Sequence, residues 1–545
     1  MGKENSTVWL PHLASDIVSD ARGPELDAYV VALEGWRRGL TLKWHTKDSE
    51  KFPSMKTWFV DKPGKLFSLS SEDRTHYFFR TRGDKVTNEA VEIGMDKERT
   101  KQYLSKAGVP FPQGKQFKVD ADIEEIVNYA SQLGYPVVLK PTIGSFGRGV
   151  VTDIQDADKL RESIIDVRAN YNYSDIIVEK HIYGQEYRLY VVDDQVVGAI
   201  NRKPPYIIGD GINTIFNLIE MENEKREKNP RLVSCLIKID QEIKNYIKAA
   251  GYSLDSIPEK GEQIVLRGRS NISIGGVPVD VLDELSDSVK STAVNALRAI
   301  PGLPHGAVDL KVDENKTEED FAVVLELNPT AQIGSLLFPW KGQARDIPKA
   351  IIDYYFPETI NTYTEREKIY FDFVDVLEPL RTKSATVTTV SPAPIGQIYA
   401  KKYVVVGDVQ RIDYHRGLRK QAFERNLSGF VNRLSNGNIE VVVAGTNPEN
   451  VDEFREAILA DPERSKVENI QVELWEGAVK IGFEVKADLK TQLEEMRLLK
   501  LDLEQLNREL KRVEQQYMEY RKSFSWRITY PFRKIADFVK YIFRL

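Results

Sequence analysis

Phosphate-binding chemistry is suggested first by a lysine and a glycine-rich turn in the segment GYPVVLKPTIGSFGRGVVTDI. Lys140 stands at the end of a Val-rich strand, and Gly144, Gly147 and Gly149 follow in the turn. Glycines let backbone N–H groups approach an anion closely, and the lysine ammonium adds positive charge. The pattern indicates a phosphate cradle, although an ordinary hairpin explains a single glycine-rich turn equally well.

Three oxygen-bearing side chains further along the chain are suited to a magnesium ion. In the strand VVLELNP the two-residue period puts Glu326 and Asn328 on one face, and Asp309 lies in the apolar strand AVDLKV. Proteins usually hold magnesium through a few oxygens, with phosphate oxygens completing the shell. Any one of these residues alone indicates only a half-buried polar group, but the three together predict a metal site.

Three further charged residues fit a nucleotide. Lys97, in DKERTK, is a second candidate phosphate contact, although on its own it indicates only a solvated helix start. In IIVEKHIYGQEYRLYVV, Glu179 is a candidate for the adenine amine and Glu186 for the ribose hydroxyls.

The segments that must position these residues divide the chain into regions of different texture. Residues 1–93 mix a predicted helix at 26–39 with short strand-like runs, and no catalytic pattern is visible there. Residues 94–358 alternate amphipathic helices with Val/Ile-rich strands, as in α/β proteins. The remaining regions are predicted as a connecting segment, 359–394, an α+β sandwich, 395–484, a heptad helix, 485–522, and a basic tail, 523–545.

The order of elements in the sandwich is typical of a split β-α-β fold. It reads as strand YVVV, helix 416–427, strand IEVVVAG, helix 448–460 and strand ENIQVELW.

The net charge and the cysteine count indicate which partners and which cellular compartment to expect. The formal net charge of -6 gives no general attraction to nucleic acid, so none is expected as a partner. Cys235 is the single cysteine, which excludes an intramolecular disulfide and fits a reducing compartment such as the cytoplasm. It lies in the apolar run RLVSCLIKI, where we expect a core thiol. The sequence contains no apolar run near the roughly 20 residues that span a bilayer.

The motifs in residues 94–358 resemble an ATP-grasp domain, specifically that of cyanophycin synthetase and the bifunctional glutathione synthetases. They are MDKERTKQYLSKAGVPFPQG, the lysine strand with GSFGRGV, NRKPPYIIGDGINTIFNLIE, SIPEKGEQIVLRGRSNISIGG and LELNP, in family order. The resemblance implies an ATP-grasp fold and an ADP-producing ligase that joins a carboxylate to an amine, with an amino acid or peptide as substrate. It also implies ATP and two magnesium ions as cofactors, with manganese as a substitute.

The resemblance assigns roles residue by residue. It places ATP against Lys97, Lys140, Gly144, Ser145, Gly147, Gly149, Glu179, Lys180 and Glu186, and magnesium against Asp309, Glu326 and Asn328. It places Arg267, Asn271 and Ser273 beside the substrate and the transferred phosphoryl group. In D-alanine ligases, which are less similar, the arginine two positions before the metal aspartate corresponds to Ala307 here.

The mechanism that the resemblance implies passes through an acyl phosphate. The γ-phosphoryl group moves to the carboxylate, and the amine then attacks the activated carbonyl. The protein contributes positioning and charge compensation rather than covalent chemistry. Arg188, Arg202 and Arg267 are the candidate cations for the phosphoryl charge, and the choice among them stays open.

The small sandwich resembles an acylphosphatase through GDVQRIDYHRGLRKQA and LSGFVNRLSNG. The departures fall on that family's working residues. Its phosphate-binding arginine aligns with His415, its water-orienting asparagine with Arg433, and two of its loop glycines with Arg411 and Asp413. We therefore expect the acylphosphatase fold without the hydrolase activity.

Apolar residues recur at heptad spacing beyond residue 485. One series is Leu489, Met496, Leu503, Leu510 and Tyr517, and the other is Leu499, Leu506, Val513 and Tyr520. The spacing predicts a coiled coil that joins copies of the chain into a homo-oligomer, with packing against its own domain as the alternative.

The tail SFSWRITYPFRKIADFVKYIFRL combines an aromatic, apolar helical face with basic residues. This pattern favours peripheral contact with an anionic membrane, and thus a cytoplasmic protein at the inner face of the membrane. SFSWRITYPFR also resembles tails that follow coiled coils in bacterial cell-surface polysaccharide enzymes.

Three functions are consistent with these patterns. The first is a ligase, with cell-surface polymer or peptide biosynthesis as its setting. The second is an acyl-phosphate hydrolase that uses the acylphosphatase-like domain. The third is a nucleotide-binding scaffold at the membrane surface.

Overall fold

The computed structural model describes residues 7 and 9–486, except 119, 143–148, 171–174, 313–321 and 462. It also describes the helical positions 500, 503, 506, 507, 510 and 513. The chain divides into two units, residues 1–399 with 476–481, and residues 400–475 with 482–545. Over the described residues, no helix is long and apolar enough to cross a membrane.

The N-terminal region of the first unit contains an antiparallel sheet covered by a buried helix. Its helices are α1, Ser15–Val18, and α2, Pro24–Arg37. The strands, in sheet order, are Val387–Thr389 (β17), Thr41–His45 (β1), Leu66–Ser70 (β2), Thr75–Phe79 (β3) and Arg82–Gly83 (β4). Pro24 at the first position and Glu25 in the first turn favour the start of α2. The helix predicted at 26–39 is confirmed, and it begins and ends two residues earlier.

Residues 359–394 do not form the predicted connection but fold into the first unit. They contain β16, Ile369–Tyr370, α12, Phe373–Arg381, and β17. β16 pairs in parallel with β22, Val479–Lys480, and β17 pairs with β1. Phe371 and Phe373 are buried against Tyr29 of α2. These aromatic side chains explain why the segment packs against the first unit instead of forming an extended linker. Its prolines and polar residues had suggested a linker.

A central antiparallel sheet has one apolar and one polar face. Its strands, in sheet order, are Val277–Asp280 (β13), Gln195–Lys203 (β10), Gln185–Val192 (β9), His305–Val312 (β14) and Ala322–Asn328 (β15). Leu189, Val308 and Leu310 belong to a core that includes residues of α3, Asn88–Met95, α4, Lys97–Lys106, and α9, Asp287–Arg298. The helices therefore cover the apolar face, and the polar face is left for chemistry.

A second, four-stranded sheet also has one apolar face covered by helices and one polar face. Its strands, in sheet order, are Gly114–Lys118 (β5), Asp175–Lys180 (β8), Val137–Pro141 (β6) and Val151–Ile154 (β7). Val137, Leu139 and Val178 share a core with residues of α5, Ile123–Leu133, and α6, Ala157–Asn170. The strand predicted to end at Lys140 corresponds to β6, which extends one residue further, to Pro141.

The segment inserted in the sequence between β10 and β13 has its own core. It consists of Tyr206–Ile208 (β11), Ile215–Glu227 (α7), Gln241–Ala249 (α8) and Gln263–Val265 (β12). Two further helices follow β15: Gly334–Leu337 (α10) and Ile347–Tyr355 (α11). Cys235 is buried, as predicted.

The second unit folds as two β-α-β halves, and it contains two strands, Ser428–Arg433 and Phe483–Lys486, that the predicted order lacked. Its strands, in sheet order, are Lys466–Leu474 (β21), Tyr399–Asp408 (β18), Ile439–Gly445 (β20), Ser428–Arg433 (β19) and Phe483–Lys486 (β23). The helices are Ile412–Glu424 (α13), Pro448–Asp452 (α14) and Phe454–Leu459 (α15). The helix predicted at 416–427 is α13, which begins four residues before the predicted start. It ends earlier because Asn426 adopts a left-handed backbone conformation.

We expect Gly407→Ala to destabilise the second unit. Gly407 lies at an irregularity of the β18–β21 ladder with φ +138°, and a Cβ there would lie 2.0 Å from the Lys466 carbonyl oxygen. Strain and overpacking should cost about 2–3 kcal/mol. Gly417 is the matched control, because a Cβ on this helical residue meets only Asp461 at 3.7 Å. Gly417→Ala should leave stability unchanged or raise it. Calorimetric unfolding of the full chain measures both, and equal effects would contradict the packing described.

Candidate active site

Strand register places seven polar side chains on one face of the central sheet. Residues directly opposite in an antiparallel pair share a face, and so do residues two apart in one strand. The register runs Glu186 opposite Lys311, Arg188 opposite Asp309, and Asp309 opposite Glu326. Row by row, the face carries Arg202, Glu186 and Lys311, then Arg188, Asp309 and Glu326, then Asn328.

Asp309 lies at the centre of this face and is 2% exposed. Arg188 donates to both of its oxygens, from Nε at 2.7 Å and from Nη2 at 2.8 Å. Nη2 of Arg202 lies 3.0 Å from Oδ2 of Asp309 and also forms an ion pair with Glu186. The two guanidinium groups therefore compensate a carboxylate that would be costly to bury alone.

The two carboxyl groups of the site have opposite pKa shifts. Burial alone would raise the pKa of Asp309, but Arg188 and Arg202 hold it well below its usual range. Burial raises the pKa of Glu326, and the neighbouring charge of Asp309 raises it further. Protein cations thus compensate Asp309 in full, whereas Glu326 lacks part of the positive charge that its ionised form needs.

The donor set of this face fits magnesium. Asp309, Glu326 and Asn328 adjoin, because Nδ2 of Asn328 lies 3.2 Å from Oε1 of Glu326 and 3.5 Å from Oδ2 of Asp309. Two carboxylates and an amide oxygen are hard donors of the kind that magnesium takes alongside phosphate oxygens. The donor set contains only two carboxylates. Among all the described residues, no group of three or more His, Cys, Asp or Glu side chains is arranged to hold a metal ion. A nucleotide would have to complete the shell.

Two lysines pair with Glu179 next to this site, and the charge of a third, Lys97, interacts with it. Glu179 is buried and forms ion pairs with Lys140 and with Lys101, whose Nζ lies 2.9 Å from Oε2. Lys97, Lys101 and Glu326 line one cavity between α4 and β15. Burial lowers the pKa of Lys97, Lys140 lowers it further, and Glu326 and Glu179 oppose the shift. This concentration of ammonium groups suits the oxygens of a polyphosphate.

Glu179 therefore engages lysines in this structure rather than facing a base. Lys180 donates to the backbone carbonyl oxygens of Gly134 at 2.8 Å and Tyr135 at 3.3 Å. Glu186 accepts from Ser270 at 3.3 Å in addition to its pair with Arg202. Of the predicted glycine turn, only Gly149 is described, with φ +69°, and Gly144, Ser145 and Gly147 lie outside the described residues.

Arg267 has different ion-pair partners from the other two candidate arginines. Its buried guanidinium pairs with Glu242 at 3.0 Å and with Asp240 at 3.2 Å. Asn271 accepts from the Ser273 hydroxyl at 2.7 Å and from its backbone N–H at 3.0 Å, which stabilises the short turn at Ile272–Ile274. The described contacts thus favour Arg188 and Arg202, not Arg267, as the cations beside Asp309.

Two lysines of the site were missed by sequence reasoning. Lys101 lies one helical turn after Lys97, a spacing that could have indicated a shared face. Lys311 lies two residues after Asp309 on the same strand face and donates to the Ile182 carbonyl oxygen at 2.8 Å. The two-residue period of AVDLKV was the available signal for Lys311.

Comparison with known protein families identifies two domains. Residues 94–205 match the RimK-like ATP-grasp domain. The chain contains an ATP-grasp domain. Residues 401–485 match the acylphosphatase family. The ATP-grasp fold and the acylphosphatase-like fold that the motifs predicted are therefore confirmed.

Curated relatives match the ATP-grasp part over longer stretches. A cyanophycin synthetase of Trichormus variabilis is 32% identical over 331 residues, covering 60% of this chain and 35% of that protein. A bifunctional glutathione biosynthesis protein of Clostridium perfringens is 29% identical over 343 residues, covering 61% of this chain and 41% of that protein. The chain therefore spans little more than a third of the length of these relatives.

Solved structures include a bifunctional glutathione synthetase from Pasteurella multocida. It is 25% identical, covers 56% of this chain and 41% of its own, and superposes with a TM-score of 0.44.

The residues that align with the working residues of an acylphosphatase contact one another and the nearby backbone. His415 is buried, and its Nε2 lies 2.8 Å from the Val409 carbonyl oxygen. Burial lowers the pKa of His415, so the ring is neutral at pH 7. Arg433 donates to the Gln410 carbonyl oxygen, and Arg411 pairs with Asp413 at 3.0 Å. A neutral, backbone-bound imidazole replaces the cation that an acyl phosphate would need.

We expect Lys101→Met to weaken ATP binding. With Lys101 removed, Glu179 keeps Lys140 as its partner and holds that ammonium away from phosphate. Loss of one partner of a buried ion pair also destabilises the fold. Titration calorimetry with magnesium and ATP should show roughly tenfold weaker binding, or about 1.4 kcal/mol. Lys106→Met changes an exposed lysine on the same helix and should leave affinity unchanged. Equal affinities for the two variants would exclude Lys101 from the site.

We expect the full chain not to cleave benzoyl phosphate above the uncatalysed rate. The reason is the neutral His415 where the acylphosphatase family carries its arginine. A spectrophotometric assay of benzoyl phosphate measures the rate directly. Cleavage that disappears in His415→Ala would contradict the interpretation, whereas cleavage that persists in that variant would point to a different site.

Proposed function

We propose that the chain is an ATP-dependent carboxylate–amine ligase that forms an amide or peptide bond through an acyl phosphate and releases ADP. One observation carries the proposal: Asp309, Glu326 and Asn328 share a sheet face with Arg188 and Arg202. Oxygen donors beside fixed cations are what phosphoryl transfer requires, since its barrier is lowered mainly by positioning and charge.

Each group of residues then has a distinct task. Lys97 and Lys140 hold phosphate oxygens, and Glu186 orients the ribose. Arg188 and Arg202 stand where negative charge develops on the transferred phosphoryl group. Asp309, Glu326 and Asn328 would hold magnesium, which supplies positive charge to the phosphates when bound.

The substrates that we propose are an amino acid or short peptide and an amine. The relatives are a cyanophycin synthetase and a glutathione biosynthesis protein, so amino acids and peptides are the first compounds to test. A setting in cell-surface polymer synthesis rests on the tail motif alone, and aminosugar polymers therefore belong in the same screen.

The two alternative functions have less support. Hydrolysis of acyl phosphate by the second unit is opposed by the His415–Val409 hydrogen bond. A nucleotide-binding scaffold would not need the buried Asp309 and the half-buried Glu326 side by side near the lysine cluster. A nucleotide turnover that depends on an added amino acid separates the ligase from the scaffold.

We also propose self-association through the heptad segment and membrane contact through residues 523–545, in a cytoplasmic protein. Leu503, Leu506, Leu510 and Val513 are helical and 56–67% exposed. Their three-and-four spacing matches a coiled-coil seam, which needs a partner helix to cover it. The other heptad positions and the tail lie outside the described residues.

We expect Glu326→Ala to abolish ADP release. The metal that Glu326 would hold offsets several kcal/mol of repulsion in the transition state. ADP release is first screened in the wild-type chain with amino acids, short peptides and aminosugar polymers, and the variant is then tested with the compound found. Glu284→Ala removes an exposed carboxylate elsewhere and should keep full turnover. Near-normal turnover by Glu326→Ala would remove the metal assignment.

A further inference from the structure

The N-terminal region contacts the loop that follows the candidate metal ligands. β15 ends at Asn328, and Ala307 opposite Asn328 is the last pair of its ladder. Beyond that point, residues 329–334 are not held by strand pairing. Side chains of the first 93 residues make part of the contacts that hold them.

Asp27 of α2 makes the main contact with this loop. Its side chain is 1% exposed. Oδ1 accepts from the backbone N–H groups of Ile333 at 3.0 Å and Gly334 at 3.2 Å. Oδ2 accepts from Nη2 of Arg80 at 2.9 Å. A buried carboxylate with these three donors satisfies its own charge and fixes the loop backbone.

A two-residue turn between β3 and β4 supplies the other contacts. Arg80 and Thr81 form this turn, and the Thr81 hydroxyl donates to the Ala331 carbonyl oxygen at 3.0 Å. Arg80 has φ +58°, a left-handed conformation that is costly for a residue other than glycine. The fold keeps this conformation with an arginine whose guanidinium pairs with Asp27.

The same loop is fixed at two further places. Nη2 of Arg231 donates to the Gln332 side-chain oxygen at 3.0 Å. Pro329 packs so closely on Gly94 that a Cβ at Gly94 would lie 2.7 Å from Pro329 Cγ. Contacts therefore run along the loop from its first residue to its last, and they connect the end of β15 to α2.

We propose that Asp27, Arg80 and Thr81 form a loop clamp that positions Glu326 and Asn328 for magnesium. The inference rests on the proposed function. It gives residues 1–93 a role in metal binding, although none of the three clamp residues touches the metal. They are positioning residues, and they act through the backbone of residues 329–334.

The test measures magnesium binding rather than turnover, in the full-length chain. Titration calorimetry gives the affinity for ATP in EDTA and the affinity for Mg²⁺ at fixed ATP, and thermal unfolding is recorded for every variant. Asp27→Asn should weaken Mg²⁺ binding roughly tenfold, as expected for residues that orient metal ligands, and leave ATP binding in EDTA unchanged. Thr81→Val removes one hydroxyl at nearly constant volume and should act in the same direction with a smaller effect.

Two control variants separate positioning from general destabilisation. Glu34 lies on the same helix as Asp27, is equally buried, and pairs with Arg38 at 2.7 Å. Thr359 is a buried threonine whose hydroxyl donates to the Phe356 carbonyl oxygen at 2.8 Å. Glu34→Gln and Thr359→Val should lower the unfolding temperature but keep wild-type Mg²⁺ affinity.

Three results would overturn the loop clamp. One is an Asp27→Asn variant that unfolds at lower temperature yet binds Mg²⁺ as the wild type does. Another is an equal loss of Mg²⁺ affinity in Glu34→Gln. Both would be seen in a wild-type chain that binds ATP, so the proposed function would survive them. A wild-type chain that binds no ATP would overturn the proposed function, and the clamp with it.

Discussion

The burial of Asp309 beside Glu326 is the constraint on which the rest of the structure depends. A carboxylate in a low-dielectric site is tolerated only when cations or hydrogen-bond donors replace its lost hydration. Arg188 and Arg202 do this for Asp309, and Arg202 is itself paired with Glu186. Glu326 is less well compensated, as the raised pKa of its carboxyl shows. Glu326 thus lacks part of the positive charge that its ionised form needs, and a divalent cation bound with its nucleotide would supply it.

The two sheets that carry the candidate site residues, the central sheet and the four-stranded sheet, are packed in the same way. Helices cover one face of each sheet with aliphatic side chains, which stabilises the strands and leaves the opposite face for polar groups. Lys140 and Glu179 lie together on the polar face of the four-stranded sheet, and Asp309 and Arg188 on that of the central sheet. Because register is specified by the apolar face, the positions of the charged residues follow from the packing of residues that take no part in chemistry.

Much of the site could be predicted because its residues follow the two-residue period of strands. Glu326 and Asn328 share a strand face, as their two-residue spacing predicted, and Asp309 lies in the strand that AVDLKV indicated. The sequence did not predict which side chains from distant parts of the chain form ion pairs. The pairing of Glu179 with Lys101 and the turning of Arg267 towards Glu242 depend on how separate elements pack. The connecting role expected for 359–394 failed for the same reason, since β17 finds its partner strand more than 300 residues earlier in the chain.

The pairing of β16 with β22 has a consequence for the order in which the chain folds during synthesis. Val479–Lys480 lies beyond most of the acylphosphatase-like sequence, yet it completes a ladder of the first unit, and Lys480 pairs with Asp372 at 2.6 Å. The ribosome must therefore synthesise residues 400–475 of the second unit before the first unit can complete this ladder. Until then the edge of β16 stays open to pairing with other chains, a known route to misassembly in multidomain proteins. A chain cut after residue 399 would keep that open edge permanently, because it lacks the strand that completes this ladder of the first unit.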